Sequence, residues 1–187
     1  MGRAYKNFWS LNTDEAIVIG ILRDHTFKNI EVLMPLNAQM KDIDLVLMAI
    51  DNKKTLKIQV KGSRAYEPTK NEVLEYKEGS CGWFLFPKDI ILKSTADYFI
   101  FLIYVLEEIK KTGRRIIFPH TLTIPTEDLI KLCEKYKKTG MSDKFNFFFW
   151  INPVKKIAFD YNDKDKIYYL TKYLDKKGLD KLNLYLK

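Results

Sequence analysis

A chain of 187 residues with 47% hydrophobic side chains is long enough for a buried core, so we expect residues 1–187 to form a single domain. The 2 cysteines exclude a disulfide framework, and the longest apolar run, residues 98–106, is too short for a transmembrane helix. The amino terminus lacks an apolar signal core, so we expect a cytoplasmic protein that makes no membrane contact. The net charge of +8 favours an anionic partner such as nucleic acid, although solvated lysine-rich surfaces give many other proteins such a charge.

The first predicted elements are a helix and a strand. Apolar residues in helical positions predict a helix over about residues 13–25. Asn12 before it, with Glu15 in its first turn, fits a capping box. A run of branched side chains predicts the first strand over residues 30–36.

Two neighbouring strands follow, at residues 42–50 and 56–63, and both alternate apolar with polar side chains. The short connection at residues 51–55 predicts that they pair as a hairpin. Pairing would bring together a carboxylate, an amide oxygen and an ammonium group, which can hold a divalent metal and a water beside a phosphodiester. The polar faces carry, in chain order, Asp42, Asp44, Lys57, Gln59 and Lys61.

The rest of the chain predicts further strands and two helices. Residues 62–82 combine turn-forming and charged side chains with weak periodicity, which favours a long loop. The later elements are a short strand at 83–86, a strand buried on both faces at 97–105, extended segments at 115–118 and 121–124 separated by Pro119, a helix at 126–138, a hairpin within 145–161, and a helix at 164–176 that ends at Gly178.

The hairpin pattern resembles the motif of the PD-(D/E)XK nuclease superfamily, the fold of many restriction enzymes and Holliday-junction resolvases. That motif is an Asp at the start of one strand and Glu/Asp-x-Lys on the next. The matching residues here are Asp44 and then Gln59-Val60-Lys61, a Gln-x-Lys form found in some branches, including the Mrr-like restriction endonucleases. The resemblance covers roughly residues 12–140, and residues 145–187 form an extension without a counterpart.

The resemblance implies an α/β fold of the restriction-endonuclease-like kind, with a mixed central β-sheet flanked by helices. It also implies Mg²⁺ (or Mn²⁺) bound by Asp44 and by the Gln59 carbonyl, with Glu15 on the first helix as a further acidic ligand. Lys61 would orient the attacking water and offset charge on the phosphate. The catalytic set is thus Asp44, Gln59, Lys61 and Glu15, and Asp42 competes with Asp44 for the same role.

DNA is the expected partner, and metal-dependent phosphodiester hydrolysis, in restriction, defence or repair, is the expected function. Ser63 and Arg64, which follow the motif, and Lys57 on the same strand are the expected phosphate contacts, although a polar turn after a strand would also explain the first two. A homodimer is expected by analogy with enzymes of this fold that cut both strands.

Several other residues allow two interpretations each. His25 and His120 lack a partner at ligand spacing, which favours structural roles. Trp83, Phe84 and Phe86 would either stack on bases or pack a core. Because Gln59 replaces a carboxylate, a catalytically silent nucleic-acid-binding module remains an alternative to an enzyme, and an intracellular interaction protein remains another.

Overall fold

The computed structural model describes residues 13–25, 29–35, 42–109, 112–137, 143–162 and 169–187. The helices are α1 (Thr13–His25), α2 (Lys70–Tyr76), α3 (Lys88–Leu92), α4 (Thr126–Lys137) and α5 (Asp175–Leu186), with a 3-10 helix at Tyr169–Tyr173. The strands are β1 (Ile30–Leu33), β2 (Leu45–Ala49), β3 (Thr55–Gly62), β4 (Ser80–Pro87), β5 (Tyr98–Ile109), β6 (Arg114–Pro125), β7 (Lys144–Asn152) and β8 (Ile157–Asp160).

The central sheet has five strands in the order β1-β2-β3-β5-β6. Its first three strands pair antiparallel, β3 and β5 pair parallel, and β5 and β6 pair antiparallel. A parallel pair needs a crossover connection, which α2, β4 and α3 supply here. The prediction of a mixed central sheet flanked by helices is therefore confirmed.

The helices α1 and α5 cover one face of this sheet and form what we call the helix-side core. Its helical part includes Val18 and Leu22 of α1 and Leu182 of α5. These side chains pack with buried residues of β2, β3 and β5, and apolar burial of this kind is the main source of folding stability. The C-terminal helix is thus part of the same core as the predicted nuclease strands.

A second sheet, in the order β4-β7-β8, was not predicted as a separate unit. The predicted late hairpin is confirmed as the antiparallel pair β7–β8, and β4 joins it along β7. Phenylalanines of β4, β5 and β7 meet in what we call the inter-sheet core, which includes Phe84, Phe101 and Phe147. The strand partner of β4 is more than fifty positions away in the sequence, and local periodicity does not reveal such a pairing.

The predicted long loop at residues 62–82 is wrong in its middle, because α2 occupies residues 70–76. Thr69 and Glu72 form a capping box there, in which the Thr69 Oγ1 accepts from the Glu72 N–H and the Glu72 carboxylate accepts from the Thr69 N–H. The Thr-x-x-Glu spacing was the available signal.

The predicted break at Pro119 does not occur, and β6 runs through it. Pro119 lies on β6, an edge strand of the central sheet, and pairs with Tyr104 of β5. A proline is tolerated at an edge because the missing N–H would face outward, away from the ladder.

The predicted end of the last helix at Gly178 is also wrong, because Gly178 lies inside α5. A Cβ at this position would collide with the Tyr173 carbonyl oxygen and lie 2.9 Å from the Cβ of Thr123. The glycine therefore permits close packing of α5 on β6. Part of the predicted helix at 164–176 lies outside the described residues.

No helix in the described part of the chain combines the length and the apolar character needed to cross a membrane.

Candidate active site

The strand β3 separates apolar from polar side chains, as its sequence predicts. Ile58 and Val60 are buried in the helix-side core, which leaves Gln59 and Lys61 for the opposite face. Gln59 is only 3% exposed, whereas Lys61 is half-buried near the carboxyl end of the strand. The two side chains thus lie on one face, two residues apart.

Asp44 connects the start of β2 to this part of β3. Its Oδ2 accepts a hydrogen bond of 2.7 Å from the backbone N–H of Val60. Its own N–H donates to the carbonyl oxygen of Ile58 at 2.9 Å. Because Val60 is the residue between Gln59 and Lys61, the carboxylate is held at the centre of the motif.

The orientation of Asp44 follows the same alternation of burial. Ile43 and Leu45 are buried on either side of it, and Asp44 itself is half-buried. Its second carboxylate oxygen, Oδ1, has no hydrogen-bond donor among the described residues. The rival Asp42 is also half-buried but makes no such bond within the described part of the chain. Asp44 is therefore the better placed of the two carboxylates.

The side-chain oxygen of Gln59 is buried and has no hydrogen-bond donor in the described part of the chain. Leaving a buried acceptor unpaired costs about 1–3 kcal/mol, so such a group normally faces a water or a ligand. Amide and carboxylate oxygens are ligands that Mg²⁺ and Mn²⁺ accept. By their chemistry, the oxygens of Gln59 and Asp44 are ligands of the kind that a hard divalent cation takes.

The charge of this donor set is low. Among the described residues, no group of three His, Cys, Asp or Glu side chains is arranged to hold a metal ion. Gln59 contributes a neutral oxygen where the commonest motif has a carboxylate. A metal held by these two side chains would therefore bind weakly unless another acidic group approaches it.

Lys61 makes no hydrogen bond or ion pair with any described residue. The residue is half-buried, and its ammonium group is left to bind water or an anion. Asp44, Gln59 and Lys61 thus share one property: each has an oxygen or an ammonium group without a hydrogen-bond partner among the described residues.

The helix α1 brings an acidic residue to the same end of β3, but this residue is Asp14, the neighbour of the predicted Glu15. The Asp14 Oδ1 accepts a hydrogen bond of 2.7 Å from the Tyr104 hydroxyl, and a Cβ at Gly62 would overlap its carboxylate. Burial, together with the hydrogen bond and charge of Asp14, raises the pKa of Tyr104. Glu15 is half-buried in the first turn of α1, and its predicted cap residue, Asn12, lies outside the described residues.

Asp14 approaches from the helix side of the sheet. Gly62 continues the face of Val60, and Tyr104 packs against the helix-side core. Asp14 and Lys61 therefore lie at the same end of β3 but on different faces. A glycine directly after the motif lysine was the sequence signal for this close approach, since any larger residue would displace the carboxylate.

The predicted phosphate contacts lie in different settings. The Ser63 Oγ accepts from the Trp83 N–H at 2.9 Å and donates to the Arg64 carbonyl at 3.1 Å, so the hydroxyl joins β3 to β4. Arg64 is exposed beside it. Lys57 is half-buried and lies about 13 Å along the strand from Lys61, at 3.3 Å per residue.

His120 belongs to a cluster that the sequence did not reveal. Its Nδ1 lies 2.9 Å from Asp175 Oδ2, and its Nε2 lies 2.9 Å from Glu107 Oε1. Burial lowers the pKa of His120, but the hydrogen bonds and charges of Asp175 and Glu107 outweigh it, so the net shift is upward. His25 is exposed at the end of α1.

The aromatic residues of β4 divide between two environments. Phe84 and Phe86 are buried in the inter-sheet core, whereas Trp83 is 43% exposed on the outer face. Core packing is therefore confirmed for Phe84 and Phe86, whereas base stacking by Trp83 stays a prediction.

Comparison with known proteins yields no relative: no protein-family model matches the chain, and no curated protein or solved structure matches it significantly.

Proposed function

We propose that the protein is a metal-dependent DNA endonuclease that hydrolyses phosphodiester bonds. One observation carries the proposal: the Asp44 carboxylate is bonded to the Val60 N–H, between Gln59 and Lys61. The sequence motif predicted this proximity. The unpaired oxygen of Gln59 adds a buried acceptor beside it.

The roles follow from the chemistry of each side chain. Asp44 and the Gln59 oxygen would hold Mg²⁺ or Mn²⁺, with Glu15 as the predicted further ligand, and the ion would polarise the phosphate and acidify a bound water. The Lys61 ammonium would orient that water and offset negative charge that grows on the phosphate in the transition state. Asp14 would fix the position of α1 against the end of β3.

The chain topology supports a restriction-endonuclease-like fold, which remains part of the proposal. A helix precedes three antiparallel strands, and a buried strand then returns parallel to the third.

The proposed substrate follows from charge. A net charge of +8 favours DNA, and Arg64 and Lys57 would contribute phosphate contacts with little sequence information. We further propose a cytoplasmic setting in restriction, defence or repair. A homodimer belongs to the proposal by analogy alone.

The test is cleavage of supercoiled, linear and branched DNA with Mg²⁺ or Mn²⁺ by the purified protein and by Lys61→Ala. We expect the variant to lose cleavage by at least about 100-fold and to keep most DNA affinity. DNA binding is spread over many phosphate contacts, whereas the transition-state charge is concentrated on one phosphate. Lys93→Ala is the matched control, since it removes one exposed lysine whose ion pair with Asp89 contributes little. Equal activity of Lys61→Ala and Lys93→Ala would contradict the assigned role.

A catalytically silent nucleic-acid-binding module is the second candidate, and Gln59 is the residue that favours it. Calorimetric titration with Mn²⁺ separates the two proposals. An enzyme should give a binding signal that Asp44→Asn removes, whereas a silent module that binds DNA without Mn²⁺ would give none.

A further inference from the structure

The outer face of the second sheet carries a row of aromatic side chains, of which Trp83 and Tyr161 are exposed and Phe148 is half-buried. In β4, Phe84 and Phe86 point inward, and Trp83 and Leu85 point outward with 43% and 46% exposure. Phe148 of β7 lies directly opposite Trp83 in the ladder. The sheet thus presents rings to solvent on the side away from its core.

Four rings form this row, which we call the aromatic strip: Tyr66, Trp83, Phe148 and Tyr161. Trp83 and Phe148 lie nearly parallel, with centroids 6.1 Å apart and 9° between their planes. Tyr161 continues the row at 6.2 Å from Phe148, and Tyr66 begins it at 6.4 Å from Trp83. The Trp83 Nε1–H donates to Asn146 Oδ1 at 2.6 Å, which fixes the indole in place.

The neighbouring part of the same face shows what such a surface accepts. There Tyr76 of α2 packs its ring against Trp150, Phe159 and Tyr161, with centroid distances of 4.9, 5.2 and 5.7 Å. The helix ends at Tyr76 and leaves Trp83 exposed. The uncovered half of the face is therefore a surface for further flat rings.

The strip is connected to the proposed active site. The Trp83 N–H donates to the hydroxyl of Ser63, which is two residues after Lys61, and the exposed Arg64 lies between Ser63 and Tyr66 in the chain. Lys144 is exposed on the outer face of β7, where it pairs with Pro87. Arg64 therefore places a cationic side chain near the Tyr66 end of the strip, and Lys144 lies on the same face of β7, four residues along the strand from Phe148.

We propose that the aromatic strip binds single-stranded nucleic acid by stacking on its bases, and that it leads the strand to Lys61. A row of aromatic rings at the surface, with Trp83 and Tyr161 exposed, matches successive bases, whose faces are free in a single strand and hidden in a duplex. The exposed Arg64 guanidinium matches a phosphate. The second part rests on the proposed nuclease function and narrows its substrate class to single-stranded or frayed ends.

The test measures binding of labelled oligo-dT and of a duplex, each of about 15 nucleotides, by fluorescence anisotropy in EDTA, so that no metal-dependent cleavage occurs. We expect Trp83→Ala to weaken oligo-dT binding about tenfold, the equivalent of about 1.4 kcal/mol, because it removes the ring on which one base stacks, and Tyr161→Ala to weaken it less. Duplex binding should change little in either variant. Trp83→Phe should keep most of the affinity, since it keeps a ring.

Tyr185→Ala is the matched control, because Tyr185 is 56% exposed on α5, outside the aromatic strip. Trp83→Ala and Tyr161→Ala that are folded by circular dichroism but bind oligo-dT as tightly as Tyr185→Ala would overturn the inference. Equal affinity of the wild type for oligo-dT and duplex would overturn it as well.

The two proposals fail in different ways. If the wild type cleaves no DNA with any metal while Trp83→Ala loses oligo-dT binding, the proposed binding role of the strip is supported and the proposed nuclease function is wrong. If the wild type cleaves duplex DNA, and Trp83→Ala cleaves it and binds oligo-dT as well as the wild type does, the nuclease function is supported and the binding role of the strip is wrong.

Discussion

Two partly buried polar clusters in this protein differ in how far their hydrogen-bonding capacity is used. Around His120, both ring nitrogens have carboxylate partners, and the second oxygen of Asp175 accepts from the Thr121 N–H at 2.9 Å. Around β3, the Gln59 oxygen has no donor and Lys61 has no partner among the described residues. Polar groups lose contact with water in both clusters, but only in the cluster around His120 do hydrogen bonds within the protein compensate for that loss.

The difference distinguishes a structural cluster from a candidate binding site. A fully satisfied network holds its elements together, here β5, β6 and α5, and gains nothing from a ligand. An incompletely satisfied one lowers the stability of the free protein and recovers that energy when a ligand arrives. Substitutions in the cluster around His120 should therefore lower stability, whereas substitutions in the cluster around β3 should mainly lower activity.

The largest expected effect is at Asp44, where two substitutions separate its roles. Asp44→Asn keeps an oxygen for the Val60 N–H but removes the charge, so cleavage should fall at least about 100-fold with little loss of stability. Asp44→Ala removes the acceptor as well and should also cost about 1–3 kcal/mol in the free energy of unfolding. Cleavage rates and urea unfolding of both variants measure the two effects. Full activity in Asp44→Asn would remove Asp44 from the proposed site.

At His120 the effect should be on stability and should depend on pH. The folded pKa is raised above the ordinary 6.5, so the stability that protonation adds is fully present below about pH 6.5 and is lost as pH rises through the folded pKa. His120→Gln should therefore lose about 1–3 kcal/mol near pH 6 and less near pH 9, by the magnitude of hydrogen bonds to charged groups.

Urea unfolding of wild type and His120→Gln at the two pH values is the measurement. His25→Gln is the control, because it replaces an exposed histidine outside this cluster. A stability difference for His120→Gln that grows with pH would mean that the carboxylates do not hold the protonated ring.

Gln59 should show the opposite relation of stability and activity. Gln59→Leu removes a buried unpaired oxygen and should leave the metal-free protein equally stable or up to about 2 kcal/mol more stable, while cleavage is lost. Gln59→Glu should bind Mn²⁺ more tightly, because it adds a charged ligand. Thermal unfolding without metal and Mn²⁺ calorimetry test the pair. A strong destabilisation by Gln59→Leu would show that the amide has a structural role.

The sequence predicted those features that depend on nearby residues. The bounds of α1 and the start of α4 at Thr126 follow from periodicity and first-turn acids, and the β2–β3 hairpin follows from alternation. The second sheet, by contrast, joins β4 to a strand far along the chain. No local pattern encodes such a partner.

The candidate site divides in the same way. Asp44, Gln59 and Lys61 were predictable because a hairpin register fixes them. The His120 cluster was not, since its two carboxylates lie 13 and 55 residues away. For α1 the sequence offered two adjacent acids, and a one-residue change turns a helical side chain by about 100°. The structure places Asp14 against β3, and only Gly62 signalled it.

The smallest expected effect tests this placement of Asp14. Tyr104→Phe removes the hydroxyl that donates to Asp14 Oδ1 and keeps the ring, so it should cost about 0.5–1.5 kcal/mol in the free energy of unfolding. Asp14→Asn should cost a similar amount, and the double variant little more than either single one, because both remove the same bond. Glu15→Gln, combined with Tyr104→Phe in the same way, is the control and should be additive. A double-variant cycle from urea unfolding measures the coupling.

If Asp14 only positions α1, Tyr104→Phe should keep its cleavage rate, whereas a large loss of cleavage at full stability would place this carboxylate in the proposed reaction itself.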